Sequence, residues 1–389
     1  MTTLKTIVER CEALFEDMHF TAVRDWKAKA PGRKAIGYLP VYVPHEIVHA
    51  AGMLPVGIFG GGDQIEVIQG DAYYQSYICR IPRSTIELGL TGRLEALDGM
   101  LFPSTCDVIR NLSGMWQIMF KDKYVRYVDV PQDYDDAVGG RFYMHEMQQL
   151  RDDLSRLSGR EITDEAIRRS IVVYNAHRKA IRDLYAYRAQ KPWQAPTSEV
   201  YLLLRAGCVL PPEEHAELIR SYLKEAETQQ RARRDNARVV MTGSFCEQPP
   251  LGLIKSIEMS GCYIVDDEFL LAFRWLMDEV ETTGNPLEAL SKAFLHRSAQ
   301  SSSKYDDRKE DKGKYLLHQV KSRGAEGVVF AAPSFCDPAL LERPMLQEIL
   351  ARHKVPYTAF KYAENTGQMA PIREQAGTFA DSIKLWSAA

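Results

Sequence analysis

The sequence predicts an α/β protein with two Rossmann-like or flavodoxin-like lobes, each built on a parallel sheet. Three observations predict it: short apolar strand segments alternate with helical segments in residues 31–140, the alternation returns in 236–389, and long helical periodicity separates the two stretches. A chain of 389 residues is long enough for two or three domains. We therefore expect four units: an N-terminal helix (1–30), a first α/β lobe (31–140), a helical connection (141–235) and a second α/β lobe (236–389).

The first part of the chain supplies the N-terminal helix and the first alternating set. The helix is predicted from about Leu4 to Lys29, before the breaker pair Pro31-Gly32. The segments that follow are predicted, in order, as strand, short helix, strand with a glycine turn, helix, strand, helix and strand: KAIGYLPVYVP, HEIVHAAG, LPVGIFGGG, IPRSTIELGL, DGMLFPST, CDVIRNLSGMWQIMF and KYVRYVDVP.

The connection and the second lobe follow the same logic. From about Arg141 to Arg234 the periodicity is helical, with breaks at glycine and proline positions. Strands and helices then alternate again, from a strand to a last helix that follows VPYTAF: ARVVMTGS, PPLGLIKSIEMSG, CYIVDDE, AEGVVFAAPS, ALLERPMLQEILARH and VPYTAF.

Composition and charge exclude several classes of protein. Hydrophobic residues make up 45% and charged residues 26%, and the formal net charge is -3, so the chain offers no electrostatic basis for binding nucleic acid or an anionic membrane. No apolar run approaches the roughly 20 residues of a membrane helix, and the N-terminus lacks the apolar block of a signal peptide. We expect a cytoplasmic protein whose seven cysteines are thiols or metal ligands rather than disulfides.

The cysteines divide into two groups. Cys11, Cys208 and Cys262 lie in apolar helical or strand patterns and are expected to be small buried hydrophobes. The other four lie near predicted helix starts, at least three of them at carboxyl ends of predicted parallel strands: Cys79, Cys106, Cys246 and Cys336. Helix N-termini stabilise thiolates, and this edge of an α/β sheet is where ligands bind. The residues alone leave two interpretations open, a thiolate-ligated metal cluster and chance placement, because no compact C-x-x-C motif is present.

Two further motifs carry weaker signals. HEIVHAAG places His45 and His49 at i and i+4 with Glu46 between them, as in a zinc protease, but no third ligand is evident. His45 and Glu46 are also candidates for polar groups that line a pocket. GIFGGGDQ lacks both the G-x-G-x-x-G spacing and a Walker lysine, so a glycine turn is the better interpretation.

Together these motifs resemble the 2-hydroxyacyl-CoA dehydratase family, which includes the ATP-dependent benzoyl-CoA reductases. The resemblance covers nearly the whole chain and ends in a GQ pair followed by Arg373; its strings are VPHEIVHAAGMLPVGI, DAYYQSYICRIPRS, LFPSTCDVIRNLSGM, SIEMSGCYIVDDE and VVFAAPSFCDPALLERP. YQSYICRIPRSTIELGL and GSFCEQPPLGLIKSIEMSGCYIVDD are most similar to core subunits of the reductase branch.

The resemblance implies a [4Fe–4S] cluster in the cleft between the lobes. Residue by residue, the family's three cysteine ligands fall on Cys79, Cys106 and Cys336. Cys246 is not among them, and for this residue a fourth-ligand role, a cleft position and a local peculiarity all stay open.

The resemblance also implies an activity and partners. The activity is the low-potential, one-electron reduction of the aromatic ring of benzoyl-CoA to a cyclic diene thioester. The implied partners are a paralogous core subunit, iron–sulfur activator subunits that bind and hydrolyse the ATP, ferredoxin as electron donor, and the acyl-CoA substrate. Glu46, His45 and Glu247 are the candidate proton donors. The alternatives are a dehydratase subunit that acts on a 2-hydroxyacyl-CoA through a ketyl radical, and a non-catalytic two-lobed binding or scaffold protein.

Overall fold

The computed structural model describes residues 3–246, 248–304, 306, 312–363 and 369–387. The strands are β1 Ala35–Tyr38, β2 Leu54–Gly57, β3 Gly99–Pro103, β4 Tyr124–Val128, β5 Ala237–Thr242, β6 Cys262–Asp267, β7 Gly327–Pro333 and β8 Tyr357–Tyr362. The α-helices are α1 Leu4–Glu16, α2 Thr21–Ala28, α3 His45–Ala50, α4 Arg80–Leu90, α5 Asp107–Met119, α6 Arg141–Ser158, α7 Asp164–Gln190, α8 Thr197–Ala206, α9 Pro212–Glu227, α10 Leu251–Met259, α11 Pro286–Arg297, α12 Lys312–Ser322, α13 Asp337–Arg352 and α14 Met369–Ser387.

The eight strands form two separate parallel sheets, which confirms the predicted α/β fold with two lobes. The first sheet has the order β2-β1-β3-β4 and the second has the order β6-β5-β7-β8. Numbered within each lobe, both orders are 2-1-3-4, so each sheet reverses its winding between its first and third strands. A crevice opens at such a point, outside the carboxyl ends of the strands, and ligands bind there in α/β proteins.

Six of the eight strands are almost wholly buried, as expected where helices cover both faces of a sheet, and the edge strands β4 and β8 are more exposed. Strand β7 (GVVFAAP) is buried at all seven positions, and β3 (GMLFP) at all five. One hydrophobic core extends through both lobes and the helices between them, and a smaller cluster lies between the second sheet, α12 and α13. The lobes therefore share their main core.

The prediction of a single N-terminal helix was wrong, because the structure contains two helices with a break at residues 17–20. The Asp17 carboxylate accepts hydrogen bonds from the N–H groups of His19 (3.0 Å) and Thr21 (2.5 Å), and Phe20 adopts a left-handed conformation with φ of 53°. An Asp side chain that bonds nearby backbone N–H groups competes with the helical ladder. This local competition ends α1 and starts α2.

Helices α6 to α9 lie between the two sheets in sequence, within the segment predicted as a connection. The longest of them, α7, packs against α3 of the first lobe and β6 of the second. The unit boundaries at residues 30, 140 and 235 stay a prediction. Among the described residues no helix has both the length and the apolar character required to cross a bilayer.

Candidate metal centre

Four of the seven cysteines line one cavity between the lobes. The cavity has a volume of about 680 Å³, and its wall contains Cys79 and Cys106 from the first lobe and Cys246 and Cys336 from the second. Other side chains of its wall are Phe245, Ser302, Ser303, Phe335, Leu341 and Glu342. Thiols separated by up to 257 residues in sequence thus meet at the edge where parallel strands end.

Three of these cysteines occupy the same position in local structure. Cys79 is the N-cap residue of α4, Cys106 that of α5 and Cys336 that of α13. The first-turn N–H groups of a helix have no partner within the helix, and the helix dipole places partial positive charge at this end. Each thiol therefore lies where a thiolate is stabilised.

The loops that carry Cys106 and Cys336 are the same structure repeated in the two lobes. Both follow the third strand of their sheet and have the sequence Pro-Ser-x-Cys-Asp, PSTCD at 103–107 and PSFCD at 333–337. The N–H of Ser104 donates to the carbonyl of Val128 (3.0 Å), and the N–H of Ser334 donates to the carbonyl of Tyr362 (2.6 Å), so each loop is tied to the fourth strand of its own sheet. This internal repeat was visible in the sequence and was missed there.

Cys79 is positioned differently, by contacts between α4 and residues 65–70, which precede it in the chain. The Glu87 carboxylate on α4 accepts hydrogen bonds from the N–H groups of Ile68 and Gly70 (both 2.9 Å), and Arg80 donates to the carbonyl of Ile65 (2.8 Å). A Cβ at Gly70 would lie 2.0 Å from the carbonyl oxygen of Arg83, so only glycine permits this approach. The segment that precedes Cys79 is therefore fixed to the helix that Cys79 begins.

The electrostatics around Cys106 differ from those around the structural cysteines. Burial raises the pKa of Cys106, while the N–H groups of Val108 and Ile109 and the Thr105 hydroxyl act to lower it. Cys106 thus differs from the structural cysteines in having groups at a helix start that favour its charged form, and burial opposes them.

The three remaining cysteines behave as predicted for structural residues. Cys11, Cys208 and Cys262 are buried, and burial raises their thiol pKa values to about 12, 11 and 12. All seven cysteines belong to the described part of the chain, and none of them forms a disulfide.

The donor set fits a cluster better than a single metal ion. Within the residues that the structure describes, no three His, Cys, Asp or Glu side chains converge on a point where one ion would bind. An iron–sulfur cluster has several iron atoms, each bound by its own thiolate, so its ligands stand apart around a larger body. Four separated thiols around one cavity, three of them at helix N-termini, match that requirement.

The loop that carries Cys246 follows β5, the strand that pairs with β7. The Ser244 hydroxyl donates to the carbonyl of Ala331 on β7 (2.6 Å), and the Gln248 amide donates to the carbonyl of Cys246 (3.1 Å). Cys246 is half-buried and begins no helix, since α10 has Pro250 as its N-cap. It shares the cavity of the other three cysteines without sharing their helix-start position.

His45 and Glu46 lie in the interior between α3 and α7, and neither is in the wall of the cysteine cavity. Glu46 accepts a hydrogen bond from the guanidinium of Arg178 (2.6 Å) in an ion pair whose two side chains are 2% and 7% exposed. The ring of His45 lies 4.3 Å from that of Tyr38, and burial lowers the pKa of His45 to about 4. Glu247, the third predicted proton donor, falls outside the described residues. The catalytic assignment of all three residues stays a prediction.

His49 has partners that leave the zinc-protease alternative without support. Its Nδ1 is 2.9 Å from the hydroxyl of Ser170, and its Nε2 is 3.2 Å from the carboxylate of Glu213. His45, one turn earlier, contacts aromatic rings instead. The two histidines of the motif thus have separate environments, and the described residues contain no ion site around them.

Sequence reasoning also missed part of the cavity wall. Ser302 and Ser303 belong to a polar tract, and Glu342 lies within α13, where it accepts a hydrogen bond from the Ser302 hydroxyl. No local pattern marks these residues, because their place in the wall depends on contacts between distant segments.

Comparison with known proteins places these features in context. Residues 40–383 match the family model described as 2-hydroxyglutaryl-CoA dehydratase, D-component. The chain is 65% identical over 381 residues to the C subunit of benzoyl-CoA reductase from Thauera aromatica, covering 98% of this chain and 99% of that protein. It is 31% identical over 361 residues to the beta subunit of (R)-2-hydroxyglutaryl-CoA dehydratase of Acidaminococcus fermentans, covering 92% and 94% of the two chains. It is 27% identical over 352 residues to the beta subunit of (R)-phenyllactyl-CoA dehydratase of Clostridium sporogenes, covering 90% and 92%.

Proposed function

The chain belongs to the family of 2-hydroxyglutaryl-CoA dehydratase D-components, and from that premise we propose that it is a core subunit of an ATP-dependent benzoyl-CoA reductase. The single observation that carries the proposal is the interlobe cavity lined by four cysteines, three of them at helix N-termini. The 65% identity to the C subunit of benzoyl-CoA reductase supports the reductase branch. The enzyme is then an oxidoreductase that acts on an aromatic acyl-CoA.

The residues that would hold a [4Fe–4S] cluster are Cys79, Cys106 and Cys336. Such a cluster, when bound, supplies single electrons at low potential, and iron–sulfur potentials extend down to roughly -700 mV. Helices α4, α5 and α13 direct their N-termini at these thiols and offset the negative charge of the thiolates. The chain's own contribution is to gather the ligands and stabilise their anionic form.

The cavity also supplies an environment suited to radical chemistry. Apolar side chains form part of its wall, among them the buried Phe245 and the exposed Leu341 and Met345. A partner subunit that covered the exposed side chains would limit the access of water, which otherwise protonates or quenches reactive species. His45 and Glu46 lie outside this wall, and their predicted role in proton delivery stays a prediction together with that of Glu247.

The ATP that drives the reaction would be hydrolysed on other chains. The sequence contains no Walker motif, so ATP binds and is hydrolysed on separate iron–sulfur activator subunits, which receive electrons from ferredoxin. The relatives are named as subunits, which is consistent with a paralogous core subunit as a permanent partner. No nucleic acid or membrane partner is proposed.

The second candidate function is dehydration of a 2-hydroxyacyl-CoA. Two relatives, at 31% and 27% identity, are dehydratase subunits, so the fold and the cavity are compatible with that reaction. The much higher identity to the reductase subunit favours ring reduction.

The decisive experiment is anaerobic co-purification of the chain with its paralogous and activator subunits. We expect bound iron and sulfide, reduction of benzoyl-CoA dependent on ATP and reduced ferredoxin, and no dehydration of hydroxyacyl-CoA substrates. Cys79→Ala should remove the iron of this chain, and Cys11→Ala, at a buried structural thiol, should not. Dehydration without ring reduction would establish the alternative, and a complex in which this chain binds no iron would support the non-catalytic interpretation.

A further inference from the structure

We propose that Cys246 is a fourth thiolate ligand of the cluster, so that every iron of the cluster is bound by this chain. The inference rests on the proposed function, since it presupposes the cluster. Its consequence is a division of labour: a cluster without an open coordination position has no place for substrate, and this subunit serves as an electron relay.

The composition of the cavity wall favours ligation by Cys246. Cys246 lines the same cavity as Cys79, Cys106 and Cys336, which gives two thiols from each lobe. Among the described residues of the wall, the other groups able to bind iron as anions are the carboxylates Asp107, Asp337 and Glu342. Thiolate is the softer donor and the usual ligand of iron–sulfur clusters.

The backbone at Cys246 is held toward β7, the strand that leads to Cys336. Ser244 is fully buried and donates to Ala331 of β7 (2.6 Å), and the N–H of Gly243 donates to the Glu268 carboxylate (2.7 Å). Gly243 has φ of 98°, a conformation that L side chains rarely adopt, so the turn out of β5 requires glycine.

A third contact fixes the thiol-bearing residue itself. The side chain of Gln248 is buried, donates to the carbonyl of Cys246 (3.1 Å) and accepts from the N–H of Leu270 (3.1 Å). The loop is therefore clamped between β7 and the residues that follow β6. A clamped backbone presents its side chain at a constant position, as a metal ligand requires.

Ligation by Cys246 has a defined chemical balance. The thiol loses its proton to solvent and forms one sulfur–iron bond, a solvent molecule leaves that iron, and no oxidation state changes. The added thiolate increases the negative charge of the site, which lowers the reduction potential. It also occupies the position through which a small exogenous ligand would otherwise bind iron.

The test compares Cys246→Ala with the wild-type complex, both purified anaerobically with all partner subunits. Clusters of the partner chains are common to both preparations, so the difference spectra report on this chain. Mild oxidation with ferricyanide should leave the iron of this chain intact in the wild type, whereas Cys246→Ala should lose its fourth iron and gain the electron paramagnetic resonance signal of a three-iron cluster. Cyanide should shift the spectrum of the variant beyond any shift that the partner clusters give in both preparations. Cys262→Ala, at a buried thiol remote from the cavity, is the matched control and should behave as wild type.

Equal iron loss and equal cyanide response in wild type and Cys246→Ala would overturn the inference and leave the proposed function intact, provided that Cys79→Ala loses the cluster. A wild-type chain without iron would overturn both. Alkylation of the wild-type complex with iodoacetamide gives a second result that needs no variant. We expect mass spectrometry to find Cys246 modified only after the iron has been removed by chelation, and modification of Cys246 in the intact holo-complex would contradict the inference.

Discussion

The two lobes have the same strand order and the same Pro-Ser-x-Cys-Asp loop after the third strand, yet they use the loop after their first strand in different ways. In the first lobe this loop leads into α3, whose Glu46 pairs with Arg178 in the interior. In the second lobe the corresponding loop carries Cys246 into the cavity wall. The first lobe draws its second cysteine, Cys79, from the segment before α4 instead. The repeated loop contributes one thiol of each lobe to the cavity wall, and the second thiol of each lobe comes from an element that has no counterpart thiol in the other lobe.

The strongest test of this comparison removes the repeated cysteine from one lobe at a time. Cys106→Ala and Cys336→Ala should have equal effects, because both thiols are N-caps after equivalent strands. Each should deplete the iron of this chain and reduce benzoyl-CoA reduction by at least about 100-fold, since loss of a direct ligand should exceed the effect of losing a supporting contact. Iron analysis and the ring-reduction assay measure this. Retention of iron in one variant only would show that the two loops are not equivalent.

In the first lobe, we expect the loop after β1 and helix α3 that follows it to be structural. Arg178→Met tests this expectation. The substitution leaves the Glu46 carboxylate buried without its cation, and we expect the free energy of unfolding to fall by about 3–5 kcal/mol in urea denaturation. Arg182→Met, four residues along the same helix, affects a partly exposed pair with Glu279 (3.5 Å) and should change stability by about 1 kcal/mol or less. Similar losses in both variants would contradict the structural role of the buried pair.

The histidines buried beside α3 should make the stability of the protein depend on pH. Burial lowers the pKa of His45 from 6.5 to about 4, so the unfolded chain binds a proton more readily than the folded one between these values. The stability contribution is fully present above pH 6.5 and is lost as the pH falls toward 4, a change of about 3 kcal/mol. Burial lowers the pKa values of His177 and His215 as well, and these residues add to the same trend.

His45→Phe should therefore flatten the pH dependence measured by urea unfolding at several pH values. His19→Phe, at an exposed histidine, is the control and should leave the slope unchanged. If His45→Phe kept the wild-type slope, the buried neutral state of His45 would be excluded.

The smallest expected effect comes from a difference within the repeated loop. Phe335 adopts a left-handed conformation with φ of 68° and is 49% exposed, whereas Thr105 at the equivalent position does not have positive φ. Asn tolerates the left-handed region better than an aromatic residue, so Phe335→Asn should stabilise the protein by about 0.5–1 kcal/mol. Thr105→Asn should give no gain. Thermal unfolding of the two variants decides whether the strain belongs to the second lobe alone.

Much of the fold was predictable because strands and helices follow local apolar patterns. The strands at Gly99–Pro103 and Gly327–Pro333 are continuous apolar runs that end in turn residues, and the cysteines behind them could be assigned to the ligand-binding edge. The break at Asp17 was not predicted, because it depends on one carboxylate that bonds two backbone N–H groups.

The sequence was sufficient to predict which thiols belong to the candidate site, but it did not predict the residues that surround them. Position placed Cys106 and Cys336 at strand ends and Cys79 near a helix start, and the family resemblance singled out these three as the predicted ligands. The pairing of Glu46 with Arg178 joins residues 132 positions apart, and no local pattern reveals it. The same holds for Ser302 and Glu342, which enter the cavity wall from distant segments.

Helix α7 has a consequence for how the proposed cluster would be acquired. Arg178 on this helix pairs with Glu46 of the first lobe, and Arg188, ten residues later, pairs with Asp267 of the second (2.6 Å), with both pairs buried. The two pairs are about 15 Å apart along one rigid rod, which sets the separation of the lobes without any help from iron. In small zinc domains the ordering of the chain weakens metal affinity, because the site does not exist before the metal binds. Here two buried ion pairs on one helix hold the lobes at a fixed separation, so we expect uptake of the proposed cluster to be a local event that does not require the whole chain to fold around it.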